Sequence, residues 1–173
     1  RSAEMNDAFA EISGFLGDAV AMRRREPADD LITRLAEAEI DGDALTEREI
    51  VLTTAMFVVA GVESLSSFMS IFAMNLAQMS DVQSSLRKDP ALMKLAIEES
   101  LRFNTSAQRF KRVLTRDVEL YGQQMRKGEF VVLAYGSANR DERQFPDANK
   151  YDLHRNPKGH LGFGTGKHFC IGN

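Results

Sequence analysis

Ile12, Phe15, Leu16, Ala19 and Val20 recur at the three-and-four spacing of a single helical face. The stretch then closes on Arg23, Arg24 and Arg25, cations where a helix C-terminus favours them. Residues 1–25 are therefore predicted to form one amphipathic helix. Ala28 to Ile40 reads as a second helix and Asp41-Gly42-Asp43 as a polar turn. Thr46 offers an N-cap hydroxyl with Glu49 three residues on, the spacing of a capping box, so a third helix is expected to start there and run to about Met79. Between Val51 and Ser80 the only charged residue is Glu63, a pattern that calls for burial almost all round. A fourth helix is expected after Pro90, reaching Phe103.

Beyond that point the period changes. Phe110 to Leu114, Val118 to Tyr121 and Glu129 to Ala134 are short β-prone runs parted by Gly122 and Gly128. From Gly136 the chain turns polar and irregular, with Pro146, Pro157 and five of the 12 glycines between Gly159 and Gly172. Long irregular segments of this kind usually carry function. The expected class is mainly α with a small β-sheet. A helical portion covers 1–103, a β portion 104–136 and an irregular portion 137–173.

Composition narrows the picture. A chain of 173 residues with 43% hydrophobic content suits one domain, and a formal charge of −3 argues against nucleic acid as the main partner. Cys170 is the sole cysteine, so no internal disulfide is possible and a reducing, cytoplasmic setting is the simpler expectation. Arg1 to Phe9 lack the apolar core of a secretory signal. Val51 to Met79 is long enough to span a bilayer, but Glu63 near its middle, with Asn75 and Gln78 farther along, argues against a membrane.

The densest chemical signal is Phe163-Gly164-Thr165-Gly166-Lys167-His168-Phe169-Cys170-Ile171-Gly172. Its glycines allow tight turns and close approach to a flat object, and its cysteine could offer a thiolate to a metal. A phosphate-binding P-loop fails, because Leu161 stands where the first glycine belongs and His168 follows Lys167. The dinucleotide fingerprint fails on the spacing of Gly162, Gly164 and Gly166, and one cysteine with three histidines is thin for zinc. Cys-Ile-Gly-Asn is a poor prenylation box. A structural cysteine after a glycine-rich turn remains the alternative to a metal ligand.

Two further groups stand out. Phe57, Gly61, Ser64 and Phe68 share one face of the third helix, where Gly61 removes a side chain and leaves room for something bulky; for an isolated Ala-Gly pair, plain helix packing is the better account. Glu63, inside an uncharged helix, must be paired, hydrated or functional. Glu99 and Arg102, three apart on the fourth helix, can form an ion pair that is worth little if exposed.

Taken in order, these motifs resemble the cytochrome P450 family. Phe163 to Gly172 resembles its haem-binding loop, Glu99-Ser100-Leu101-Arg102 the Glu-x-x-Arg of its K helix, and Ala60-Gly61-Val62-Glu63-Ser64 the oxygen-activating kink of its long central helix. Ala138-Asn139-Arg140-Asp141 and Tyr151-Asp152-Leu153-His154-Arg155 are similar to the meander of bacterial members, so residues 1–173 resemble part of a single P450 domain. The resemblance implies a bacterial, soluble haem-thiolate monooxygenase that binds haem b, with Cys170 as the axial iron ligand. It implies that Ala60, Gly61, Phe163, Gly164 and Gly172 lie against the cofactor and that Arg112 and His168 meet its propionates. Glu63 and Ser64 would deliver protons, with Ser64 standing where threonine is commoner. Arg155 would join Glu99 and Arg102 in a buried network that holds the cysteine loop.

The implied substrate is an apolar small molecule near Phe57, Val58, Thr105 and Gln108. Further implied partners are O2 and a ferredoxin or flavodoxin-like donor passing on electrons from NAD(P)H, with Lys158, Lys167 and Arg155 near its docking face. The rival expectation is a truncated remnant of the same fold, non-catalytic, that binds haem or another protein. Members of the family are far longer than this chain. Helices before the first and after Cys170 are thus expected to lie beyond it, leaving apolar surface on the central helix uncovered.

Overall fold

The computed structural model describes residues 3–173; the first two positions of the predicted opening helix lie outside the described residues. The chain divides into two compact units, one up to Glu63 and one from Ser64 to Asn173.

In the first unit, α1 (Ala3–Arg25) carries Glu4 in its first turn and Arg23, Arg24 and Arg25 in its last, as the helix dipole favours. The predicted second helix is shorter than its sequence range: α2 covers only Leu31–Ala36. Asp30 caps it, its carboxylate accepting from Thr33 N–H at 2.9 Å, and that bond together with Arg23 holds the Asp30 carboxyl below its usual range. Ile40 belongs instead to a hairpin, β1 (Glu39–Ile40) against β2 (Asp43–Ala44), in which Ile40 pairs with Asp43. The turn between them puts Asp41 at φ 55° and Gly42 at φ 90°, the doubly left-handed geometry that an Asp-Gly pair favours.

The capping box forms: Thr46 Oγ1 accepts from Glu49 N–H at 3.3 Å, while a Glu49 carboxylate oxygen accepts from Thr46 N–H at 2.8 Å. From it runs α3 (Glu47–Gln78), unbroken through residues 60–64. Leu16 and Val20 of α1 close on Ile50, Val51 and Ala55 of α3, with Ile32, Leu35 and Leu45 around them. Val20 and Ile50 are wholly buried, each stabilising by roughly 1.5–3 kcal/mol.

In the second unit, Phe72 of α3 packs with Val82 and Leu86 of α4 (Ser80–Lys88), Ala96 of α5 (Met93–Phe103) and Leu153. The turn Pro90–Leu92 leads into α5, with Asp89 capping it through Ala91 N–H. The β portion is not one sheet but two ladders. β3 (Phe110–Val113) pairs antiparallel with β6 (Phe130–Leu133), and between them β4 (Val118–Leu120) pairs with β5 (Gln123–Met125) across a left-handed Tyr121-Gly122 turn. A short α6 (Tyr135–Ala138) follows, and the rest is irregular apart from one turn at Gly166–His168.

The expected burial of Val51 to Ser80 is not observed. Val51, Thr54, Ala55, Phe72 and Asn75 are buried, whereas Met56, Val58, Val59, Val62, Leu65 and Met69 are exposed. The described elements cover the helix only where the two cores form. By length and hydropathy α3 would also qualify as a membrane span.

Candidate functional site

Glu99 and Arg102 project from α5 into the interior and are both inaccessible to solvent. Arg102 Nε donates to one Glu99 oxygen at 2.8 Å and Nη2 to the other at 2.7 Å, a bidentate pair. Arg102 also donates to the carbonyls of Asn139 and Ala148 at 2.8 Å and of Lys150 at 3.2 Å, which employs all five of its donors. Glu99 in turn accepts from Arg155 Nε at 3.1 Å and from Asp152 N–H at 2.9 Å. A pair this deep would be costly without such saturation. Lysine, with three donors and no planar fork, could not replace Arg102 here.

Around this centre the meander is stitched to α5. Tyr151 donates its hydroxyl to Ala96 O at 2.8 Å and receives one from Ser100 at 3.0 Å; burial pushes its phenol above the usual value. Arg140 lies 3.6 Å over the Phe103 ring and donates to Phe103 O at 2.8 Å. Burial, with Arg102 close by, lowers its guanidinium from the ordinary range. Arg155 is not a docking-surface charge: its side chain is 11% exposed and its other donors go to the carbonyls of Pro146, Asp147 and Lys150.

Asn139 connects the network to the cysteine loop. Fully buried, it gives its main-chain carbonyl to Arg102 and its side-chain oxygen to Leu161 N–H at 2.6 Å. The loop then folds on itself: Gly164 N–H bonds Leu161 O, Phe169 N–H bonds Gly166 O and Cys170 N–H bonds Phe163 O, each at 3.0 Å. Gly164 sits at φ 72°, a conformation that a side chain would strain. At the tip the Cys170 thiol is free and exposed, as are His168 and Gly172. A Cβ on Gly172 would lie 3.8 Å from the sulfur, so its absence keeps that flank clear.

Arg112 stands on β3 in the same alternation as Phe110, whose ring meets Tyr135 at 5.5 Å; the Tyr135 hydroxyl in turn borders Gly164. Arg112 therefore shares the strand face that adjoins the cysteine loop. Two expected pocket residues are placed otherwise. Thr105 is only 1% exposed. Gln108 folds back, its amide donating to Thr105 O and its main-chain carbonyl accepting from Gly136 N–H. Gln108 thus ties β3 to α6. Phe57, Val58, Ala60, Gly61 and Glu63 belong to the first unit, and Val58, Ala60, Gly61 and Glu63 are exposed there; Ser64, also exposed, opens the second. Among the described residues nothing covers Glu63.

Asn139, His160 and Gly162 gave no residue-type signal as site members. Their contributions run through main-chain groups, which sequence spacing does not display.

Comparison with known proteins agrees with this geometry. The chain is 40% identical to a steroid C26-monooxygenase of Mycobacterium tuberculosis (strain CDC 1551 / Oshkosh), covering 96% of this chain and 45% of the relative. It is 37% identical to the mycinamicin IV hydroxylase/epoxidase of Micromonospora griseorubida, over 98% and 43% respectively. The ligand-free structure of cytochrome P450 TbtJ1 superposes with a TM-score of 0.92 at 36% identity, covering 99% of this chain and 47% of that one. The chain thus spans about half the length of the proteins it matches. Residues 2–173 match the model of the Cytochrome P450 family, and to that family the chain belongs.

Proposed function

We propose that this chain is the central-helix and cysteine-loop portion of a haem-thiolate monooxygenase acting on an apolar small molecule. The observation that carries the reading is a single exposed thiol on a self-bonded glycine loop, anchored through Asn139 to the saturated Glu99–Arg102–Arg155 network. The donor set suits haem. Among the described residues no group of three or more His, Cys, Asp and Glu could hold a bare ion, so one thiol fits a metal that brings its remaining ligands with it. Haem b held there would supply reductive activation of O2 at an iron bearing a thiolate ligand.

The chain's own residues have distinct tasks in this reading. Cys170 ligates the iron. Gly164, Gly172 and Phe163 offer a surface that a flat ring can approach, and the family resemblance adds Ala60 and Gly61 as cofactor neighbours. Arg112, whose guanidinium donates to the carbonyl of Lys111, and exposed His168 receive the propionates. Glu63 takes up protons from water and Ser64 passes them on. Phe57 and Val58 present the apolar wall. Thr105 and Gln108 shape the α5–β3 turn.

Electrons come from NAD(P)H through a ferredoxin or flavodoxin-like protein, and exposed Lys158 and Lys167 attract its acidic surface. Reversing both charges would slow electron transfer and weaken its salt dependence. The protein works in the cytoplasm, with α3 covered by protein instead of lipid. The names of the relatives make a steroid the first substrate to assay. The test is the ferrous carbon monoxide spectrum of the intact protein. A strongly red-shifted Soret band that vanishes in Cys170→Ser is expected; purification without porphyrin, or an unaltered band in the variant, would overturn the assignment.

A further inference from the structure

His160 has no role in the reading above, yet its side chain is 8% exposed and both ring nitrogens are engaged. Nδ1 accepts from Gly162 N–H at 3.0 Å. A nitrogen that accepts carries no proton, so the neutral ring must carry its proton on Nε2, which stands 3.1 Å from a Glu98 carboxylate oxygen on α5. The ring further meets Phe163 at 6.2 Å between centroids. Gly162 is cut to fit: a Cβ there would lie 2.9 Å from Nδ1 and 3.1 Å from Leu101 O. Gly162 is thereby held between α5 and the imidazole, immediately before Phe163, whose carbonyl receives the Cys170 N–H.

We propose that His160 is a positioning residue for the cysteine loop, a neutral Nε2–H imidazole clamping Gly162 N–H to Glu98. The clamp is a second tie from α5 to the loop, independent of the bond from Asn139 to Leu161. Its purpose rests on the haem-thiolate reading, but its geometry does not. Its loss leaves the Gly162 amide to water and frees the Phe163–Cys170 closure to fray.

The test uses the intact protein in its diamagnetic ferrous carbon monoxide form, or without haem should none bind. Nitrogen-15 spectra of the His160 ring near neutral pH should show the proton on Nε2; a proton on Nδ1, or on both nitrogens, would overturn the proposal. Hydrogen exchange at Gly162 should quicken about tenfold in His160→Ala, the loss of one net hydrogen bond. In His160→Asn the amide oxygen replaces Nδ1 and should restore protection. In His160→Gln only the contact to Glu98 can be rebuilt, so the Gly162 amide should stay exposed. Equal exchange in wild type and the Ala variant, or equal exchange in the Asn and Ala variants, would dispose of the clamp. None of these readouts needs a thiolate-bound iron, so their failure is distinct from failure of the Cys170→Ser spectrum.

Discussion

The base and the tip of the cysteine loop are built on opposite plans. At the base, Glu99, Arg102 and Asn139 have no solvent exposure, and every donor of Arg102 has a protein partner. At the tip, residues 165–173 are all exposed and the Cys170 thiol is free. The Glu99–Arg102 pair is saturated with hydrogen bonds at the base, whereas the tip carries exposed positions. Substitutions at the two places should therefore act on different observables, chemistry at the tip and stability at the base.

The largest expected effect is Cys170→Ser, which should abolish the red-shifted carbon monoxide band while shifting unfolding free energy by less than about 0.5 kcal/mol in the haem-free protein. Next comes Arg102→Ala, which leaves buried Glu99 with only Arg155 and the Asp152 amide and deprives the Asn139 and Ala148 carbonyls of their donor; it should cost about 3–5 kcal/mol by denaturant titration. Arg102→Lys keeps the charge but can satisfy at most three of five contacts, and should still cost about 2 kcal/mol. A well-folded, stable Arg102→Ala variant would erase the contrast between base and tip. Asn139→Ala leaves its main-chain carbonyl on Arg102 and removes only the bond to Leu161. A loss of about 1–2 kcal/mol is expected, with faster exchange at the Leu161 amide.

The smallest effect is at alkaline pH. Burial raises the Tyr151 phenol above its ordinary value of 10.0, so the folded state favours the protonated form. That contribution is present in full below about pH 10 and is lost as pH rises through the raised value. Tyr151→Phe should flatten this part of the stability profile, measured by urea titration across that range.

How much of this was legible in the sequence depends on which atoms do the work. The α1 and α5 ranges and the start of α3 followed from apolar spacing, from Pro90 and from the Thr46–Glu49 box. α4 was missed because its sequence is mostly Ser, Gln and charge, with only Val82 and Leu86 turned inward. β5 was missed because Gln123 and Gln124 are exposed ladder residues with no apolar alternation. α2 lost its end to the hairpin, since Asp41-Gly42 takes the left-handed turn more readily than the helix continues past Ala36. The motif residues Glu99, Arg102 and Arg155 were legible because side chains pair with side chains. Asn139, His160 and Gly162 were not, since each acts on a main-chain amide or carbonyl that any residue supplies. The uncharged run of α3 showed that the helix needs cover, but not which element provides it.

Asn139 commits its two oxygens in opposite directions, one towards the guanidinium of α5 and one towards the strand of chain that leads to the thiol. A stretch with almost no regular secondary structure thereby inherits the rigidity of the helix beside it. Loosening of either should be felt by the other.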